Sequence, residues 1–395
     1  MKVAFRVQKG SLVSCKDVLQ RISDAGIPEM TIVTALRAGG GGDEGVVTFR
    51  ETMMGEASVS VLDFSSMWNM FSDGTGSPLE RLFVLCWRIS SVLIVDPSPA
   101  DKDDTACLER WLYVFTFLLP LLDACDGDVK RLVAQLGPMP SLVIPLKAGV
   151  GMAKLGKKLS EYISMDEANT SQVAGRRNQL RAVVRGVFSL RQVVIVDAWS
   201  DMGGAGEEGT RLTDTLEGRT LDGITLPTLR CVEVQGMLSN STLIFYVLEM
   251  LVERARSEAT LADLVIDSDL DVALREVCDG FLGEALDIFL VGATEDLDVA
   301  LSAVGSLDGQ RMILCAPEGA ASPIEGSPTF VEIRKTWLAR LASLFVQPEA
   351  SAATVARKQL QTKLRALHDE RLRAVMLGLR ASSSDRMDLA FQHID

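Results

Sequence analysis

Apolar and polar residues follow two different patterns along this chain. Over residues 1–235, short apolar runs alternate with segments of helical periodicity. The runs are rich in β-branched residues and are bounded by Gly, Pro or Asp, which is typical of strands. They lie at Met30–Leu36, Val46–Glu51, Ser58–Asp63, Val92–Val95, Ser141–Leu146, Gln192–Asp197 and Arg230–Gln235. Helical periodicity separates some of them, at Leu79–Ile89, Cys107–Leu122 and Gln179–Phe188. This alternation predicts an α/β domain with a mostly parallel sheet and helices packed on it.

Two of the predicted strands are too close in the sequence for a crossover helix. These are Val46–Glu51 and Ser58–Asp63, which only residues 52–57 separate. A connection of this length joins antiparallel strands. We therefore predict a hairpin at the edge of the sheet.

The pattern changes after Ser239, where helical periodicity dominates. The helical segments lie at Thr242–Ser257, Leu261–Asp279, Phe281–Val291, Thr294–Val304, Thr329–Phe345 and Ser351–Leu379. One short β-branched run, Met312–Leu314, interrupts them. We expect an α/β domain over residues 1–238 and an all-helical domain over residues 239–395. Gly-, Thr- and Pro-rich stretches predict loops at Asp201–Pro227 and Pro317–Pro328.

Composition and charge exclude several classes of function. Hydrophobic residues make up 47% of the chain and charged residues 24%, which is typical of a globular protein and excludes a disordered one. The net charge of −13 disfavours general nucleic-acid binding, because an acidic surface repels a phosphate backbone. The only histidines are His368 and His393, so residues 1–367 cannot supply a histidine-dependent triad or a His-rich metal site.

The cysteines and the apolar segments indicate an intracellular protein. The seven cysteines form no Cys-x-x-Cys pair, which favours free thiols in a reducing compartment, by default the cytoplasm. The longest apolar stretch, Trp111–Leu122, contains Pro120 and is shorter than the ~20 residues of a membrane span. We expect no secretory signal, no transmembrane segment and no lipid anchor.

Four stretches of the chain carry a recognisable pattern: Leu12–Leu36, Asn178–Trp199, Val234–Ser257 and Glu284–Val304. Together they resemble the guanylate-binding protein and atlastin family of dynamin-related large GTPases. Leu12–Leu36 is similar to the family's lead-in helix and first strand, and Asn178–Trp199 to its Arg-bearing helix and the strand that follows. Val234–Ser257 resembles the end of the GTPase domain with the long helix after it, and Glu284–Val304 the helical middle domain. The resemblance implies a P-loop GTPase-like sheet with helices on both faces. It also implies GTP hydrolysis with Mg²⁺.

The family's phosphate-binding loop, G-x-x-x-x-G-K-S/T, matches the stretch from Thr34 to Gly41. In this alignment Arg37 fits the family's arginine and Gly39 its second glycine, whereas Thr34 replaces the first glycine. Gly40 stands in the position of the lysine that neutralises phosphate oxygens, and Gly41 in that of the serine that holds Mg²⁺. The two side chains that touch phosphate and magnesium are therefore missing.

The helix that follows a phosphate-binding loop is also missing. Only Asp43, Glu44 and Gly45 separate Gly42 from the predicted strand at Val46. This leaves no room for a helix of ~11 residues. The two carboxylates also oppose a triphosphate at this place.

Two further motifs of the family are degenerate. The Asp-x-x-Gly motif after the third strand corresponds to Asp63 and Ser66, so the Asp is present and the Gly is not. The guanine-reading Arg-Asp pair corresponds to Lys147 and Ala148, which removes the carboxylate that would bind the base. The sequence thus predicts a pseudo-GTPase that acts as a non-catalytic scaffold or interaction subunit, without a cofactor. The alternative is a GTPase that binds GTP and Mg²⁺ through unorthodox contacts.

Loss of the helix predicts a bare apolar face on the central strands. The exposed set would be drawn from Ile32, Thr34 and Leu36, or from Thr31, Val33 and Ala35, together with part of Val59, Val61 and Asp63. Because soluble proteins seldom leave such a surface open, either a segment of this chain or a protein partner should cover it.

The last predicted helix is basic in an otherwise acidic chain. Its cations are Arg357, Lys358, Lys363, Arg365, Arg371, Arg373 and Arg380. Leucines and a valine between Leu360 and Leu379 give the same helix an apolar stripe. Intramolecular packing is the commoner use of this pattern, and docking on an acidic surface of protein or RNA is the alternative.

Overall fold

The chain divides into two units in the computed structural model. The first comprises Met1–Val234 with Ser239–Val277, and the second Gln235–Leu238 with Cys278–Asp395. The structure describes residues 2–8, 11–24, 30–37, 46–54, 57–64, 77–96, 104–136, 140–146, 161–168, 171–188, 193–197, 220–221, 224–225, 233–234, 236–238, 240–257, 260–265, 269–315, 328–345 and 351–392. Residues 239–277, which the sequence pattern places with the helical domain, cluster with the α/β unit.

The strands account for the apolar runs found in the sequence, with additions at both ends. They are β1 (Lys2–Gln8), β2 (Ser11–Ser14), β3 (Met30–Arg37), β4 (Val46–Met54), β5 (Ala57–Asp63), β6 (Val92–Asp96), β7 (Ser141–Leu146), β8 (Val193–Asp197), β9 (Thr220–Leu221), β10 (Ile224–Thr225), β11 (Glu233–Val234) and β12 (Met237–Leu238). Strands β9 and β10 pair antiparallel inside the stretch expected to be a loop. Most of that stretch lies outside the described residues.

The helices differ in number and bounds from those that the sequence pattern predicts. They are α1 (Lys16–Asp24), α2 (Pro78–Ile89), α3 (Asp104–Val114), α4 (Leu118–Ala124), α5 (Val129–Leu136), α6 (Gln172–Val187), α7 (Ser241–Arg256), α8 (Leu261–Val265), α9 (Asp269–Ser302), α10 (Leu307–Leu314), α11 (Pro328–Ala342) and α12 (Ser351–Gln392). A 3₁₀ turn, Phe115–Phe117, joins α3 to α4. The three segments predicted between Leu261 and Val304 are mainly the single helix α9. The short run Met312–Leu314, which interrupts the helical pattern in the sequence, belongs to helix α10.

One mixed sheet of eight strands forms the centre of the first unit, in the order β2-β1-β4-β5-β3-β6-β7-β8. Strand β3 lies inside it and pairs in parallel with β5 and β6, and β7 and β8 continue the parallel part. The hairpin β4–β5 is antiparallel, as predicted. It is not at the edge, because β1 pairs with β4 and β2 pairs with β1. The α/β class is therefore confirmed, with a sheet that is parallel on one side of β5 and antiparallel on the other.

Helix α2 anchors the core of this unit. It begins at a cap in which the Ser77 hydroxyl accepts from the Glu80 amide at 3.2 Å, followed by proline at the first helical position. Phe83 packs edge-on against Phe64, at the end of β5, with ring centroids 5.3 Å apart. The opposite end of α2 contributes Trp87, whose ring lies 5.4 Å from Phe117. One aromatic core thus joins the sheet to α2 and the 3₁₀ turn.

The second unit is helical and packs around Trp337 of α11. The indole N–H of Trp337 donates to Asp296 of α9 at 2.9 Å, and the indole ring lies against Gly292. Helix α12 is joined to α9 by two ion pairs, Lys363–Asp287 and Arg371–Asp298. Among the described residues, no helix combines the length and apolar character that crossing a membrane requires.

Candidate functional site

The strand ends that carry the family-like motifs meet at one edge of the sheet. Strands β3, β5 and β7 run in the same direction and end at Arg37, Asp63 and Leu146. Ala35 pairs with Asp63 across adjacent strands, so Arg37 and Asp63 belong to neighbouring strand ends. The other candidate residues, Gly39, Gly40, Gly41, Ser66, Lys147 and Ala148, lie outside the described residues.

Asp63 is the one candidate whose side chain the structure describes at this edge. It is buried, with 5% of its surface exposed. It also pairs with Thr48 of β4 on its other side, so its backbone is part of a three-strand ladder. Directly after it, the Phe64 amide donates to the Ala35 carbonyl at 2.8 Å and extends the ladder by one bond.

Strand β3 continues through the first four positions of the family's loop, from Thr34 to Arg37. On one side Thr34 and Ala35 pair with Leu62 and Asp63, and on the other side all four residues pair with the strand from Leu93 to Asp96. A phosphate-binding loop needs these amides to point at the anion. Here these four residues pair within the sheet instead.

The Thr34 side chain reinforces this arrangement. Its hydroxyl lies 2.6 Å from that of Ser90, at the end of α2, and both residues are buried. The Ser90 hydroxyl itself donates to the Cys86 carbonyl at 2.8 Å, which leaves Thr34 as the donor between the two hydroxyls. The residue in place of the family's first glycine is therefore a packed element of the core.

The apolar face that loss of the helix was expected to uncover is buried in this chain. Ile32, Thr34 and Leu36 on one face of β3 are at most 1% exposed. Val33 and Ala35 on the other face, and Val61 beside them, are equally buried. Of the two expected outcomes, cover by a segment of this chain and cover by a partner, the structure shows the first at these residues. The side chains of Thr31 and Val59 lie outside the description.

The connection after β3 is as short as the sequence indicates. Strand β3 ends at Arg37 and β4 begins at Val46, so residues 38–45 join them. Eight residues are fewer than the ~11 of an average helix alone. Among the described residues, the next helix in the chain that packs on β3 is α2, which follows β5.

A second polar cluster lies on α6, the helix that resembles the family's Arg-bearing helix. Arg181 is fully buried and donates to Glu167 at 2.7 Å, and its guanidinium lies 4.4 Å from the centre of the Tyr162 ring. Arg177 joins the same carboxylate at 2.7 Å and also bonds Glu109 of α3. We call Arg177, Arg181, Glu167, Glu109 and Tyr162 the α6 ion cluster.

The two arginines of the α6 ion cluster stabilise the ionised form of Glu167. Burial opposes ionisation of Glu167, but hydrogen bonds and charges from Arg181 and Arg177 outweigh it and hold the pKa of this carboxyl below its usual value. Asn178 fixes the same segment, since its amide accepts from the Glu167 backbone N–H at 3.0 Å and donates to the Glu167 carbonyl at 2.8 Å. The cluster thus pins residues 161–168 onto α6. The spacing of Glu109, Glu167 and Arg181 along the sequence does not predict that these side chains belong to one cluster.

Metal-ligand clusters and reactive cysteines are two familiar kinds of reaction centre, and the described residues bear on both. Within the described ranges, no three His, Cys, Asp or Glu side chains converge as metal ligands would. The described cysteines Cys15, Cys86, Cys125, Cys278 and Cys315 are free thiols. Burial raises the pKa of Cys86 and raises that of Cys278 to about 12, which disfavours the nucleophilic thiolate at either position.

Comparison with known proteins adds no relative. No protein-family model matches the chain, and a search of curated proteins returns no match.

Proposed function

We propose that this chain is a pseudo-GTPase of the guanylate-binding protein type that acts as a non-catalytic scaffold or interaction subunit. The observation that carries the proposal is the path of β3. Its last four residues match the start of the family's phosphate-binding loop, yet they pair within the sheet up to Arg37 and Asp96. A backbone engaged in a ladder cannot also wrap a phosphate.

The arrangement of the strands supports the GTPase-like part of the proposal. Two motifs that serve one nucleotide must lie on parallel strands that end at the same edge. Strands β3 and β5 meet this condition, with Val33 opposite Val61 and Ala35 opposite Asp63. Strand β7 ends at that edge two positions away, with β6 between β3 and β7.

Thermal unfolding with GTP, GDP and Mg²⁺ tests the loss of nucleotide binding. A ligand at a hundred times its dissociation constant would add about 2.7 kcal/mol to the free energy of unfolding. We expect no change in melting temperature at millimolar nucleotide and no hydrolysis above a buffer control. The rival, a GTPase with unorthodox contacts, predicts a shift that Asp63→Asn abolishes.

Restoring the missing Lys and Ser tests whether only these side chains are lost or the phosphate-binding loop itself is lost. We expect Gly40→Lys combined with Gly41→Ser to produce no GTPase, because the residues before them remain in the ladder. Lysine-dependent hydrolysis in this variant would show that a phosphate-binding loop persists and would refute the proposal. The scaffold role predicts that partners recovered by crosslinking are the same with GTP, with GDP and without nucleotide.

A further inference from the structure

A basic groove runs between α11 and α12 in the second unit. Its volume is about 870 Å³, which lies within the range of small-molecule sites. Five cationic side chains line it: Arg334 and Lys335 from α11, and Arg357, Lys358 and Arg365 from α12. The carboxylate in the lining is Asp369. This concentration of positive charge stands against a net charge of −13 for the whole chain.

Four cations of the groove differ from their neighbours, because no acidic partner of theirs lies among the described residues. On the side of α12 that faces α9, Lys363 pairs with Asp287 at 2.5 Å and Arg371 with Asp298 at 2.8 Å. Lys335 lies 3.9 Å from Glu332 of its own helix. Among the residues that the structure describes, no carboxylate lies within 4.0 Å of the remaining four, Arg334, Arg357, Lys358 and Arg365. The groove therefore carries positive charge that the fold does not neutralise.

The cations are closely spaced. Arg357, Lys358 and Arg365 lie within about 12 Å along α12, at a rise of ~1.5 Å per residue. Gln361 and Thr362 occupy the turn between them and line the same groove. Charges of the same sign this close together repel one another, with a strength that salt reduces. A bound anion of high charge density would remove that repulsion.

The floor of the groove is rigid and aromatic. The rings of Phe330 and His368 lie with centroids 4.5 Å apart, and both residues are buried. The Nε2 of His368 donates to the Leu314 carbonyl of α10 at 2.7 Å, which fixes the imidazole. Ordering of this floor is complete before any ligand arrives, so binding there costs little conformational entropy.

We propose that this groove binds a ligand with clustered phosphate groups. Three guanidinium groups match phosphate oxygens by bidentate hydrogen bonds. A polyphosphate places several negative charges within a few ångströms, whereas an acidic helix offers about one carboxylate per turn on a given face. The charge density of the groove favours the phosphate cluster over an acidic peptide. This inference does not depend on the proposed loss of GTPase activity, because the groove belongs to the helical unit.

Calorimetric titration of the full chain with inorganic tripolyphosphate tests the site. We expect binding that weakens with added salt and that is at least tenfold weaker for the double variant Arg357→Gln, Arg365→Gln. The matched control is Arg373→Gln with Arg380→Gln, two exposed arginines of the same helix that do not line the groove. The control should bind within twofold of the wild type. Equal loss in both double variants, or no binding in any titration, would overturn the proposal.

Two further arms identify the source of the phosphate. Inositol hexakisphosphate represents a free organic polyphosphate, and vesicles with phosphatidylinositol 4,5-bisphosphate represent a lipid headgroup. Loss of either interaction in the groove variant, and not in the control, supports the site and names the source. A poly-glutamate peptide that binds the groove more tightly than all phosphate probes would reject the phosphate ligand in favour of an acidic protein segment. Circular dichroism of both double variants verifies that they are folded.

Discussion

The Thr34 hydroxyl donates a hydrogen bond to the Ser90 hydroxyl at 2.6 Å, and both residues are buried. This contact ties the middle of the sheet to the end of α2 at the position where the resembling family has a loop glycine. Threonine favours a strand and glycine a loop, because a β-branched side chain packs on a pleated surface. The substitution therefore fits the observation that β3 runs on through residues 34–37.

The Thr34–Ser90 bond predicts a measurable coupling. We expect Thr34→Val to lower the free energy of unfolding by about 1 kcal/mol, because Ser90 loses a donor while the shape of the side chain is kept. Ser90→Ala should cost a similar amount, and the double variant should cost less than the sum of the two. Chemical denaturation of the three variants measures the coupling. Strict additivity would show that the two hydroxyls do not interact.

The sequence predicted the strands of the parallel part of the sheet better than their neighbours. An apolar run such as Ser141–Leu146 can be recognised as a strand from its own residues, and that strand has the predicted bounds. Strand β1 was missed because Lys2, Arg6 and Gln8 interrupt its apolar residues. Its pairing with β4, which removes the hairpin from the sheet edge, depends on contacts between distant segments. Periodicity carries no information on such pairing.

At the candidate site, too, the sequence predicts some features and not others. The order of the motif positions could be predicted from the sequence, and the placement of Arg37 and Asp63 on adjacent strand ends agrees with it. The burial of Val33 and Ala35 could not be predicted from the sequence, because it depends on how the rest of the chain folds back onto the sheet. The α6 ion cluster was missed for the same reason, because Glu109 and Arg177 are 68 positions apart.

Removal of Arg181 is expected to destabilise the first unit strongly. Its guanidinium is fully buried, so Arg181→Met leaves Glu167 with one cationic partner fewer in a partly buried place. Loss of one partner of a buried pair costs about 3 kcal/mol or more. The matched control is Arg185→Met on the same helix, where the side chain is 36% exposed and lies 4.0 Å from Asp166. The control should change the free energy of unfolding by less than about 0.5 kcal/mol. Urea denaturation compares them, and equal effects would contradict a structural role for the α6 ion cluster.

The same cluster predicts a dependence of stability on acid. The pKa of Glu167 is lower in the folded chain than its usual value, because the two arginines outweigh the effect of burial. A depressed carboxyl contributes stability above its unfolded pKa of about 4.3 and loses this contribution as the pH falls through the folded value. The difference in unfolding free energy between the wild type and Glu167→Gln should therefore be largest near pH 7 and shrink below pH ~4. Asp166→Asn, which removes an exposed carboxylate beside Glu167, is the control. If the difference in unfolding free energy between the wild type and Glu167→Gln increased as the pH fell, this mechanism would be contradicted.

The contact between Gly292 and Trp337 predicts opposite effects for two alanine substitutions on α9. A Cβ atom at Gly292 would meet the Cη2 and Cζ2 atoms of the Trp337 ring more closely than van der Waals contact allows. At Gly283 of the same helix, the added Cβ would meet nothing within 4 Å. Gly283→Ala should therefore stabilise the chain by up to about 1 kcal/mol through helix propensity. Gly292→Ala gains the same propensity but overpacks the contact with α11, which costs about 1–3 kcal/mol.

Thermal and urea unfolding of the two glycine variants measure this difference, and a background variant assigns its cause. Trp337→Phe removes the two ring atoms that would clash, although it also removes the hydrogen bond to Asp296. If the clash is the cause, Gly292→Ala should cost less in the Trp337→Phe background than in the wild type, and Gly283→Ala should have the same effect in both. Equal stabilisation by the two alanines in the wild type would mean that α9 and α11 do not pack through Gly292.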